Sequence, residues 1–428
     1  MKPMRHRPLI AFFDYSDVFE DFYPHYGVDQ QTFATRWAAT ANHALVSLLQ
    51  REIGDVIWYE FSLEPKLSEA RHDLLGCRIK FLPSSWLHRS LWRAFYVPKF
   101  SWRWRRAYPA YAALASYLAL ISWPFTRVLL RDRPDIFFLQ DYATGRFDTL
   151  LLIARLLGVP LIAYHSGSAP ERYIGRMAKQ WTIPRADWLI VSSQSEKEML
   201  ASRYRVSPGR MRVILTPIDM KVFRPVNRIE ACRAAQLDPL RRYFLFVGRL
   251  DDRVKRASAL IQSYAAVSGE AKNIDLVIVG EGPDGERLRA LAGDLVPGRV
   301  HFLGWVSGGE PLRHLYNAAD CLVLPSLSEG FPTVVGEAMA CGTPVLASRV
   351  GGVSELVVEG QTGWLIPSGD DKSLTAALSL VASQADIITA MRPRARAMAE
   401  ARVSPAVVAA QLRTCFIAGD NAHGLAPA

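Results

Sequence analysis

A chain of 428 residues is too long for one ordinary hydrophobic core, so two domains are the default. Half of its residues are hydrophobic and 21% are charged, which excludes a disordered chain. The five cysteines (Cys77, Cys232, Cys321, Cys341, Cys415) form no C-x-x-C pair and show no zinc spacing, which argues against a disulfide framework or structural metal and for a reducing compartment.

The N-terminal apolar run, 9–13, ends at Asp14 and is too short for a secretory signal. Segments of strand length at 8–13, 56–60, 78–82, 135–139, 160–164, 188–191 and 212–215 alternate with helical patterns near 30–50, 108–131, 147–157 and 194–203. Alternation of this kind predicts a parallel α/β domain over 1–217. Residues 1–217 carry 29 Lys and Arg against 19 Asp and Glu, and 218–428 carry 22 of each, so the whole net charge of +10 lies in the first half. Residues 74–131 contain ten cations and no acid. Within them, Trp86-Leu87-His88-Arg89-Ser90-Leu91-Trp92-Arg93 and Lys99-Phe100-Ser101-Trp102-Arg103-Trp104-Arg105-Arg106 interleave tryptophan with cations. That mixture suits an anionic membrane surface. A packed insertion and single-stranded nucleic acid are the other readings. The uncharged stretch 107–126 holds two prolines and three tyrosines and is read as a buried helix rather than a span. His165 ends a strand and precedes Ser166-Gly167-Ser168.

Residues 216–225 carry two prolines, break both periods and read as a linker. Strands follow at 243–247, 275–279, 300–303, 321–324, 344–347 and 364–366, with helices near 255–268, 284–293, 310–318, 334–341, 353–358 and 371–383. This predicts a second Rossmann-like domain over 218–395, with 396–428 as a final helix and tail. Three loops after strands stand out. Gly248-Arg249-Leu250 precedes a helix that begins near Lys255, so Arg249 and Lys255 would sit at the carboxyl end of a parallel sheet, where ligands bind. Two such cations suit a diphosphate. Gly280-Glu281-Gly282-Pro283 opens another helix without the dinucleotide fingerprint. Ser328-Glu329-Gly330-Phe331-Pro332-Thr333-Val334-Val335-Gly336-Glu337 sets two carboxylates eight residues apart. One lies before a helix N-terminus that favours an anion, the other inside that helix.

That last string, continued by Ala338-Met339-Ala340-Cys341-Gly342-Thr343-Pro344-Val345, resembles the E-x7-E donor site of the retaining, nucleotide-sugar-dependent glycosyltransferases of family 4. The resemblance runs from about 187 to 366 with several motifs in order, and is only architectural over 14–130. It implies the GT-B fold: two Rossmann-like domains with parallel sheets facing an interdomain cleft, and a last helix crossing back. It also implies roles. Arg249 and Lys255 would bind the donor diphosphate, although their spacing of six exceeds the usual five, so Arg253 or Arg256 could share the task. Glu329 would hold sugar hydroxyls, Glu337 the ribose, and the amides of Phe331, Thr333 and Val334 the donor sugar. Pro332 replaces a commoner glycine and removes one N–H. Gly280, Gly282 and Trp305 would wall the nucleotide, Gly351-Gly352 would close the pocket, and His165 would face the transferred sugar. The usual Gly-Gly after the first strand is missing, which leaves Gly27 as the acceptor-side loop.

The expectation is thus a retaining, metal-independent hexosyltransferase without a cofactor, which takes a nucleoside-diphosphate sugar and a glycan or lipid-linked acceptor. It would reside in the cytoplasm, with peripheral docking on the membrane face through residues 86–106. A GT-B epimerase or phosphorylase and a non-catalytic sugar-nucleotide-binding protein are the alternatives.

Overall fold

A computed structural model describes residues 7–21, 23–35, 41–95, 114–165, 176–269 and 273–422. Lys99–Arg106 and Ser166–Ser168, singled out above, lie outside them. The chain forms two compact units, residues 1–214 with 409–428, and residues 215–408.

The first unit holds an eight-stranded sheet built from β1 (Leu9–Phe13), β2 (Asp55–Ser62), β3 (Ser68–Arg71), β4 (Arg78–Pro83), β5 (Ile136–Leu139), β6 (Leu161–Tyr164), β7 (Trp188–Val191) and β8 (Met211–Val213). Its order is β3-β4-β2-β1-β5-β6-β7-β8. Every pairing is parallel except β3 with β4. β1 reads LIAFF and is buried throughout, because helices cover both faces of a parallel sheet. Phe13 stacks on Tyr59 at 5.4 Å and meets Phe137 edge-on at 5.7 Å. Each such ring contributes about 2–3 kcal/mol by leaving water.

The second unit holds β9 (Arg242–Val247), β10 (Ile274–Val279), β11 (Val300–Gly304), β12 (Cys321–Leu324), β13 (Val345–Ser348) and β14 (Gly363–Ile366). All are parallel, in the order β11-β10-β9-β12-β13-β14. In both sheets the order reverses at one strand, β1 in the first and β9 in the second. Ligands of open α/β sheets bind outside the carboxyl ends at such points.

Differences from the expected elements are local. β3 was not foreseen: its sequence, SEAR, is mostly exposed and has no apolar alternation. The helix expected near 255–268 is two helices, Asp252–Lys255 and Ala257–Val267, divided by Arg256 at φ 55°. The final helix is likewise divided. Ala385–Val403 continues through position 396 and stays with the second unit, and Pro405–Ala422 joins the first from Ala409. There, Arg413 donates to Glu52 Oε2 at 2.9 Å and Phe416 stacks on Phe138 at 6.4 Å.

Candidate functional site

Three loops at the carboxyl ends of the second sheet, those after β9, β10 and β11, are stitched by backbone contacts. Gly248 N–H donates to Val279 O (3.0 Å), Leu250 N–H to Glu281 O (2.9 Å) and Gly280 N–H to Gly304 O (2.7 Å). Gly280 stands at φ 131°, and a Cβ there would lie 2.0 Å from Gly248 O; a Cβ on Gly282 would lie 2.5 Å from Leu250 O. These two glycines therefore let neighbouring loops touch, which is a requirement of packing before it is one of ligand approach. Trp305 follows β11, is half exposed, and directs its backbone N–H toward Glu281 Oε1 at 3.4 Å.

The loop after β12 is tied down twice. Leu327 N–H donates to Val254 O (2.8 Å) and Gly352 N–H to Gly330 O (2.6 Å). Gly351, at φ 48°, is pressed so close that a Cβ would fall 2.0 Å from Glu329 O. This brings Glu329 against Lys255, with Nζ to Oε1 at 2.5 Å. The sequence reading gave these two residues separate roles, and the structure makes them an ion pair. Arg249 is exposed and forms no ion pair with the described residues. Arg253 pairs with Asp251 (3.5 Å) and Arg256 with Asp371 (2.6 Å), so neither neighbour of Lys255 turns to Glu329.

The helix Thr333–Ala340 follows Pro332, whose φ of −74° and ψ of 110° make it the N-cap. Thr333 and Val334 thus supply first-turn amides, which a helix leaves unsatisfied within itself. The Phe331 ring is buried against Gly336, which leaves only its backbone for a ligand. Gly336 itself admits Ile218, 2.8 Å from where its Cβ would lie. At the other end, Arg396 donates to Ala340 O at 2.6 Å, a cation on the negative pole of the helix. Glu337 is half-buried and accepts from Tyr316 Oη at 2.7 Å. Burial pushes its carboxyl up to about 7, against the pull of that hydrogen bond. Tyr316, from the helix Glu310–Ala318, was not foreseen.

In the first unit, His165 is buried at the end of β6, and its Nδ1 lies 2.6 Å from Glu196 Oε1. Tyr142 Oη donates to the same oxygen (2.5 Å), while Ser192 N–H and Oγ reach Oε2 at 3.1 and 3.2 Å. Burial lowers the His165 pKa, but the hydrogen bond and charge of Glu196 outweigh it, so the pKa is raised overall. Any ligand contact falls to Nε2. Glu196 had a legible signal, since Ser193-x-x-Glu196 is a capping box, and Ser193 Oγ does accept from Glu196 N–H at 3.1 Å. Gly27 closes a turn after Tyr23–Tyr26 at φ 69° and is exposed.

A polar cluster missed by the sequence reading surrounds the reversal point of the first sheet. Asp14 accepts from Tyr23 Oη (2.5 Å) and Asn42 Nδ2, and Glu60 from Ser16 Oγ and Trp58 Nε1, each at 3.1 Å. Buried Arg146 donates to Ser16 O, and its Nε stands 4.0 Å from Asp17 Oδ1. Burial raises the carboxyls of Asp14 and Glu60, and that of Asp17 to about 7. In the basic segment, Trp86 is exposed, whereas Trp92 donates to Asp21 Oδ1 at 2.9 Å.

Two parallel α/β units with loops of this kind define the GT-B class. Solved structures agree: Anabaena HepE in complex with UDP matches with TM-score 0.70 at 17% identity, covering 96% of this chain and 99% of that one. Sucrose-phosphate synthase from Thermosynechococcus elongatus matches with TM-score 0.71 at 22% identity, covering 97% and 100%. The family models described as Glycosyltransferase Family 4 and Glycosyl transferases group 1 match residues 38–222 and 241–384. The chain belongs to the family 4 glycosyltransferases. Among curated relatives, D-inositol 3-phosphate glycosyltransferase of Mycobacterium marinum is 34% identical over 250 residues, 56% of this chain and 52% of that protein. The chain spans about half the length of the curated relatives it matches.

Proposed function

We propose that this chain transfers a sugar from a nucleoside-diphosphate sugar to an acceptor hydroxyl with retention of the anomeric configuration. The observation that carries the proposal is the ion pair of Lys255 with Glu329, beside a helix that carries Glu337. The donor diphosphate takes the place of Glu329 on Lys255 and is met by Arg249. Glu329, released, accepts from sugar hydroxyls, and Glu337 accepts from the ribose. As the bond from the anomeric carbon to the diphosphate breaks, the cations stabilise the charge that grows on the leaving oxygens. The acceptor oxygen bonds to the same face, and its proton passes to the departing phosphate. No protein nucleophile and no metal takes part. UDP and UDP-glucose are the first donors to test, since HepE was solved with both. The acceptor is a glycan or lipid-linked hydroxyl. The chain works in the cytoplasm, with an anionic membrane surface as partner through residues 86–106.

The test has three parts. Nucleoside diphosphates and their sugars are screened by thermal shift, since a ligand of the folded state must raise its stability. The product's anomeric configuration is read by NMR, and turnover is repeated in chelator. Inverted product refutes retention, and activity that requires an added divalent ion refutes metal independence.

A further inference from the structure

The acid-free stretch 74–131 presents large apolar side chains to solvent in its described part: Trp86 is 74% exposed, Trp123 70% and Ile121 60%. The two tryptophans open the helices Trp86–Phe95 and Trp123–Asp132. The starts of these helices are tied together. Ser122 Oγ donates to Pro83 O at 2.9 Å, and Ser85 N–H to Ala119 O at 3.4 Å. Trp86, Ile121 and Trp123 each stand next to a residue of that seam.

Arginines continue the face. The helix Trp123–Asp132 turns Phe125, Val128 and Leu129 inward, which leaves Trp123, Arg127, Leu130 and Arg131 outside. Arg127 lies over the Trp123 ring, 5.7 Å from its centroid. On the helix Trp86–Phe95, Trp86, Ser90 and Arg93 are exposed at helical spacing. Asp132, the nearest acid in sequence, does not offset these cations, because it is turned inward to Lys80 (2.8 Å) and Tyr59 (2.6 Å).

Large apolar side chains exposed together at two tied helix starts mark an interaction surface, and the cations beside them favour an anionic partner. Indoles prefer the boundary between headgroups and hydrocarbon. Aliphatic Ile121 and Leu130 gain from lipid but nothing from stacked bases. We propose that this face docks the chain on an anionic bilayer, with Trp86, Ile121 and Trp123 at the headgroup boundary and Arg93, Arg127 and Arg131 on lipid phosphates. The inference deepens the membrane part of the proposed function and moves the contact from the run ending at Arg106 onto two joined helix starts.

The test is flotation of the full chain with phosphatidylcholine vesicles, with and without phosphatidylglycerol, at low and high salt. Wild type floats only with the anionic vesicles, and less at high salt. Arg127→Ser/Arg131→Ser weakens partitioning about 30-fold, and Trp86→Ala/Trp123→Ala weakens it at least as much. Trp181→Ala, at an exposed tryptophan on the helix Arg176–Thr182, floats as wild type does. No flotation of wild type, equal flotation of the double variants, or retention on single-stranded RNA instead of vesicles overturns the proposal. The melting shift across the screened nucleoside diphosphates and their sugars, measured on the same proteins, separates the two readings. Flotation without a nucleotide shift removes the transferase reading alone, and a shift without flotation removes the docking surface alone.

Discussion

The two sheets end in loops of opposite construction. In the second unit, Gly248, Gly280, Gly282 and Gly351 bring backbone against backbone, and the charges of these loops hang on that frame. In the first, buried side chains set the loops: Arg146 amid Asp14, Asp17 and Glu60, and His165 on Glu196. A backbone scaffold holds its shape whatever the local charge and can receive a diphosphate without rearranging its frame. A buried ionic network is specific, but it fails as a whole when one member is removed.

The largest test of that contrast is Arg146→Met. It leaves buried Asp14 and Glu60 and half-buried Asp17 without their cation and should cost about 3–5 kcal/mol in the first unit. The three carboxyls already have raised pKa values, so they bind protons more tightly folded than unfolded. Their loss of partner therefore hurts more as pH rises from 6 to 8. A melting midpoint equal to wild type at pH 8 would show that the network is not ionic.

Next comes Gly280→Ala. A methyl 2.0 Å from Gly248 O, on a backbone at φ 131°, should cost about 3 kcal/mol and loosen both loops. Unlike Arg146→Met, the loss should be the same at pH 6 and pH 8. Denaturant unfolding at the two pH values decides this.

Lys255→Ala and Glu337→Ala should each lose about 2–3 kcal/mol of transition-state stabilisation, or one to two decades in kcat/KM, while remaining folded. Wild-type kinetics at limiting donor in either variant sinks the donor-site assignment.

The smallest effect concerns pH. Burial raises the Glu337 carboxyl to about 7, and in the proposed role the ionised form would accept from the ribose hydroxyls. UDP affinity should therefore rise a few-fold from pH 6 to 8, by order of magnitude, as the carboxyl ionises. Without ligand the sign reverses: the folded pKa exceeds the ordinary carboxylate value, so stability is gained as pH falls through 7. Glu337→Gln should flatten both profiles in titration calorimetry and thermal melts.

The same contrast explains what could be read from the chain. Strands covered on both faces are continuous apolar runs, so thirteen of the fourteen strands stand out, while β3, with Ser68 and Glu69 toward solvent, does not. The loops of the second unit are legible because backbone contact demands glycine at fixed places. Networks of side chains leave no such mark. Arg146 meets Ser16 across 130 residues, and Tyr316 meets Glu337 across 21, with no periodicity to relate them. A lone Arg in a helix reads as solvated until the fold carries it inward.

The pair of Lys255 and Glu329 has one more consequence. A carboxylate tethered beside an ammonium behaves as a resident counter-ion whose effective concentration is on the order of millimolar or above. A free inorganic anion must displace it with a single contact and gains little by the exchange. A nucleoside-diphosphate sugar brings a base, a ribose and a sugar to the same exchange, and the freed carboxylate then finds new partners on that sugar. On the proposed reading, the pair acts as an ion exchanger with a threshold: phosphate alone would not open it, and a ligand that also satisfies the evicted carboxylate would.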